Sequence, residues 1–120
     1  MTTWLDSKLE NATAPSAPTQ PSRVIGTAYQ PSTTNAVMVA VTIELVGTAG
    51  QDGNVSLKSD SASTPTTERA SARLAVGSGG PSITVRQQLC YIVPAGHYVK
   101  LVAGGTGTQT VIDVVETVLN

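Results

Sequence analysis

Residues 83–102, ITVRQQLCYIVPAGHYVKLV, place two apolar runs on either side of a Pro94-Ala95-Gly96 step. In the first run Ile83, Val85, Leu89, Tyr91 and Val93 fall on alternate positions, as they do when one face of a strand is covered. After the step, His97, Val99 and Leu101 share one face, and Tyr98, Lys100 and Val102 the other. Pro94 fixes its own φ, and Gly96 tolerates a positive one, so the step suits a tight reversal. The pattern predicts a β-hairpin, and with it an antiparallel β domain.

Upstream, residues 36–46, AVMVAVTIELV, give the longest strand signal in the chain. Val37, Val39, Val41, Ile43 and Leu45 form an unbroken apolar face, whereas Met38, Ala40, Thr42, Glu44 and Val46 form a mixed one. Further strands are expected at residues 23–29, at 54–59 with Val55 and Leu57 inward, and at 68–76. The last, at 108–119, is apolar on both faces, which predicts a central or interfacial position. Gly- and Pro-containing turns separate these segments. About eight strands at this spacing predict an all-β antiparallel sandwich or jelly roll.

The chain divides near residue 22. Residues 12–22, ATAPSAPTQPS, hold three prolines among small polar residues and read as an extended linker. Residues 1–22 are therefore expected to be an arm with its linker, and residues 23–120 the domain. The arm carries Trp4, Leu5 and Leu9 at spacings that suit a short helix. Such a helix is too short to stand alone in water. Either Trp4 anchors a partner surface, or it folds back onto its own domain.

Composition narrows the function. Seven basic and eight acidic side chains give a net charge of −1, so nothing electrostatic favours nucleic acid. Charged residues are 12% of the chain, roughly half the usual share, and Phe is absent. A core of Val, Ile, Leu and Ala is thin for so small a domain, so trimerisation or docking on a larger assembly is expected to supply the missing burial. A homotrimer with Val114 and Val118 of the last strand at the interface is the expectation, and a monomer with a Thr/Ser-rich β surface the alternative. No secretory leader or apolar run of membrane-spanning length is recognisable, so no membrane partner is expected.

Chemistry-bearing residues are sparse. Cys90, the single cysteine, lies in an apolar run and is expected to be buried and unreactive. His97 is the only histidine, and no third residue stands out to orient a Cys90–His97 pair. Glu44, Asp52, Asp60, Asp113 and Glu116 are scattered without metal-ligand spacing. The glycine steps at 77–80 and 104–107 lack the GK[ST] signature of a phosphate loop. No enzyme activity, metal or cofactor is expected.

Three stretches carry a family resemblance. Gly26-Thr27-Ala28-Tyr29-Gln30-Pro31, followed by Ser/Thr residues and a Val-rich strand, resembles the opening of small tailed-bacteriophage virion domains. Residues 92–101, IVPAGHYVKL, are similar to the Val-Pro-x-Gly hairpin near the end of those domains, and VIDVVETVL to their last strand. Relatives often carry Arg-Pro before the long strand, where this chain has Asn35-Ala36. The resemblance implies a jelly roll of the tumour-necrosis-factor type, commonly trimeric, without catalytic residues. It implies a virion protein assembled in the host cytoplasm: a capsid decoration or head-fibre protein whose arm docks on the major capsid protein or other virion proteins. The alternative is a tail-fibre or needle tip, or a carbohydrate-binding receptor module using Tyr29, Tyr91 or Tyr98 on a host-surface glycan.

Overall fold

The computed structural model describes residues 17–119. Six strands occur among them: β1 (Ala36–Gly47), β2 (Asp52–Asp60), β3 (Glu68–Ala75), β4 (Ile83–Val93), β5 (Tyr98–Gly104) and β6 (Thr108–Leu119). They form two antiparallel three-stranded sheets, a front sheet ordered β4-β1-β6 and a back sheet ordered β3-β2-β5. The architecture is an all-β sandwich.

The core lies where alternation placed it. Val37, Val39, Val41, Ile43 and Leu45 of β1 are at most 1% exposed, and they face Val55 and Leu57 of β2 and Val99 and Leu101 of β5. These are almost wholly aliphatic, β-branched or γ-branched side chains of similar size. Removing each from water is worth about 1.5–3 kcal/mol.

The expected hairpin is not formed. β4 pairs with β1 from Val37↔Val93 to Gly47↔Ile83, and β5 pairs with β2 from Asn54↔Gly104 to Asp60↔Tyr98. Pro94-Ala95-Gly96-His97 is a tight turn, with the His97 N–H donating to the Pro94 carbonyl and Gly96 at φ 80°. It carries the chain from one sheet to the other. Leu89 and Val93 thus reach the shared core from the opposite sheet to Val99 and Leu101 instead of lying beside them. Alternation cannot separate the two arrangements, because both put the same side chains inside. Only β2 and β3 are successive strands of one sheet, so every other connection crosses the sandwich.

Two further expectations are corrected. Residues 23–29 form no strand; with residues 17–22 they make a strap across the open side between β6 and β5. Thr19 pairs with Glu116 of β6, Tyr29 pairs with Val99 of β5, and the Gly26 N–H donates to the Leu101 carbonyl. With residues 23–29 a strap, the other six segments read as strands remain, fewer than the about eight expected.

β6 is an edge strand of the front sheet, not a central one. Its register against β1 slips between Thr42 and Ile43, where Asp113 and Val111 are the successive partners and Ile112 is the extra residue. A bulge of this kind reverses which positions face inward. Val111 packs on the core before it, Val114 and Val118 after it, and Ile112 is left 42% exposed. After the bulge both faces remain apolar, Val114 and Val118 inward and Val115 and Leu119 outward, and the slip sets the phase between Val111 and Val114.

Candidate interaction surface

Alternation on β1 sends Met38, Ala40, Thr42 and Glu44 to the outward face of the front sheet. Their cross-strand partners are Ile92, Cys90, Gln88 and Arg86 on β4, and Thr117, Val115, Asp113 and Thr110 on β6. The face is therefore divided. Around Glu44 it is polar, with the Arg86 Nε donating to the Glu44 carboxylate at 2.9 Å. That pair is largely solvated and adds about 0–1 kcal/mol. Around Met38 it is apolar: Met38 is 42% and Ile92 53% exposed, with Cys90 and Ala40 beside them and Val115 and Leu119 along β6. A continuous apolar patch on a small domain marks a surface to be covered.

Cys90 is exposed on this patch, contrary to the burial expected of it. Leu89 is the inward residue of the run, and the next position along a strand must point the other way. His97 lies in the turn between the sheets with its Nδ1 buried, and no hydrogen bond joins it to Cys90. Among the described residues no group of three or more His, Cys, Asp or Glu is placed to hold a metal. No helix there is long and apolar enough to cross a membrane.

The strap runs along the β6 edge of the front sheet, where Thr19 pairs with Glu116. Arg23 reaches between the sheets, where its Nε and Nη2 donate to the two carboxylate oxygens of Glu116 at 3.0 and 2.9 Å. Glu116 is an inward residue of β6 and only 5% exposed, so the bidentate pair supplies the charge compensation that its burial requires. The same guanidinium stacks on Tyr29, 3.8 Å from the ring centre. The hydrogen bond to Glu116 raises the Arg23 pKa further above its ordinary value, so this cation is fixed. Burial, together with the neighbouring Glu116 charge, drives the Tyr29 phenol far above its ordinary range. Thr19, inside the segment read as linker, already belongs to the front sheet.

The site residues named from sequence are distributed differently. Trp4, Leu5 and Leu9 lie outside the described residues. Val114 is 3% exposed within a single chain and belongs to its own core; Val118 packs partly against that core. Tyr29 sits in the strap, Tyr91 faces inward beneath Arg69 of β3, and Tyr98 stands on the outward face of the back sheet opposite Asp60. Sequence reasoning missed the Met38–Ile92 patch and the Arg23–Glu116 pair. The first was signalled by the apolar part of the mixed face of β1, the second by a lone Glu in the apolar run VIDVVETVL.

No protein-family model and no curated protein matches this chain.

Proposed function

We propose that the protein is a non-enzymatic structural component of a tailed-bacteriophage virion, a capsid decoration or head-fibre protein of trimeric jelly-roll type. Its N-terminal arm and the apolar half of the front sheet together form the attachment site. The observation that supports this reading is the apolar half of the front sheet, where Met38 and Ile92 are 42% and 53% exposed beside Ala40 and Cys90. An apolar sequence segment and an exposed apolar sheet face suit docking on a larger assembly, where both are removed from water. Three copies in one particle-bound trimer would turn the second and third contacts into intramolecular ones.

The experiment is the mass of the native protein in solution, followed by its addition to particles that lack it. A mass three times that of the 12.3 kDa chain, and particle binding that Trp4→Ala weakens, support the reading. A monomer at every concentration, or binding indifferent to Trp4, overturns it.

A second reading, a receptor- or glycan-binding tip, draws on the outward face of the back sheet. There Tyr98 stands opposite Asp60, and Lys58 opposite Lys100, a polar surface with one aromatic platform. Binding on a glycan array that Tyr98→Ala abolishes would favour this reading over decoration.

A further inference from the structure

We infer that the outer edge of β4 pairs with the β4 of a second copy of this chain, the two strands running antiparallel about Gln88. Two front sheets thereby become one continuous sheet across a two-fold axis.

The four sheet edges are finished in different ways. An unpaired strand edge displays a row of amide and carbonyl groups that pairs with a matching edge unless something blocks it. β6 and β5 are both bonded by the strap, β6 through Thr19 on Glu116, and β5 through Tyr29 on Val99 and Gly26 on Leu101. β3 carries its own obstruction: it is short, holds Glu68, Arg69 and Arg73, and shifts register against β2 between Leu57 and Lys58. β4 has none of these devices. It runs 11 residues without proline, and its register against β1 is unbroken from Val93 to Ile83. Its one charge, Arg86, is held by Glu44 of β1. Among the described residues its backbone bonds to β1 alone.

Burial marks the same edge as lacking a neighbour. The inward residues Val37 to Leu45 of β1 are at most 1% exposed. On β4, by contrast, Val85 and Tyr91 are only half-buried, and Gln87, opposite the inward Ile43, is exposed. A further strand beside β4 covers all three.

The sequence of β4 suits its own copy as that strand. Gln88 is the midpoint, so a two-fold pairing centred there overlaps the whole strand, with Ile83 opposite Val93 at each end. It sets Arg86 opposite Cys90, so no like charges meet. It sets Tyr91 opposite Val85, an aromatic against a β-branched side chain. Centring the pairing on Arg86 would oppose two guanidinium groups and leave residues 90–93 unpaired.

In this register position 88 lies opposite its own copy, with Cα atoms about 4.5–5.5 Å apart, within disulfide reach. Position 84 lies about 27 Å from its copy. Gln88→Cys in a Cys90→Ser background should therefore form a disulfide-linked dimer under mild oxidation about tenfold or more faster than Thr84→Cys in the same background. All three positions are exposed, so retained β-sheet circular dichroism shows that the fold survives. Gln88→Lys and Gln88→Glu each oppose like charges and should weaken self-association several-fold, while an equimolar mixture of the two recovers it. Equal cross-linking at the two positions overturns the inference, as do charge variants that associate like the wild type. A mass of three chains without cross-linking at position 88 overturns it and leaves the trimeric reading standing. A mass of two chains with cross-linking retains it and removes the trimer. Six chains that Gln88→Lys separates into threes support both, and a monomer at every concentration removes both.

Discussion

Arg23 and Glu116, ninety-three positions apart in sequence, are joined by two hydrogen bonds of 3.0 and 2.9 Å in the space between strap and β6. The carboxylate is nearly buried and the guanidinium partly exposed, so the pair is asymmetric: Glu116 depends on Arg23 more than the reverse. Arg23→Ala leaves a buried carboxylate without its cation and loses the stack on Tyr29, at a cost of about 2–4 kcal/mol. Arg23→Leu with Glu116→Leu removes both charges and should recover most of that loss. Urea denaturation of wild type, single and double variants measures both; a single variant as stable as wild type would show that the pair does not hold the strap.

Val114 and Val115 are neighbours with opposite surroundings. Val114 is 3% exposed in the core, whereas Val115 is partnered with Ala40 on the outward face. Val114→Asp puts a carboxylate among aliphatic side chains and should cost about 3–5 kcal/mol, enough to unfold most of the protein. Val115→Asp should leave the melting temperature nearly unchanged. Parallel thermal melts separate them, and equal effects would contradict the register of β6 after its bulge.

Ser59 is fully buried on the inward face of β2, and its Oγ has no hydrogen-bond partner. Its backbone is satisfied, the N–H donating to the Thr67 carbonyl and the carbonyl accepting from Arg69 Nε. Ser59→Ala therefore removes a desolvated hydroxyl and strands nothing. A gain of about 1 kcal/mol is expected, visible as a rise of several degrees in melting temperature. A fall would mean that the hydroxyl has a partner.

Much of this architecture was legible because the aliphatic positions of β1, β2 and the start of β5 alternate without a break. What escaped was geometry to which parity is blind. A turn such as Pro94–His97 looks the same whether it joins neighbours or crosses the sandwich. The apolar run around Cys90 suggests a core position, yet its place next to the inward Leu89 puts it on the other face. The bulge at Ile112 shifts the phase of the inward face between Val111 and Val114, which strict alternation does not anticipate. The Arg23–Glu116 contact was hidden by sequence distance, and the apolar outward patch needs three strands in register, β4, β1 and β6, before it exists at all.

Asp60 organises the loop between β2 and β3. Its carboxylate accepts from the N–H groups of Ala62, Thr66 and Thr67 at 2.9, 2.9 and 3.2 Å, and from the Thr67 hydroxyl at 3.0 Å. The Thr66 and Ala62 amides contribute most to holding its pKa down at about 2, since they donate to the ionised form. The unfolded chain titrates near the ordinary value of about 3.9. The folded pKa is the lower, so the unfolded state takes up the proton first as pH falls. The contribution is complete above about pH 4 and is lost progressively as pH drops toward 2. Asp60→Asn cannot ionise, and its stability should lack this component of acid dependence while the other carboxylates keep theirs. Carbon-detected titration of the Asp60 carboxyl reads the midpoint directly. A midpoint near the ordinary value would mean that the loop is not held by these four donors.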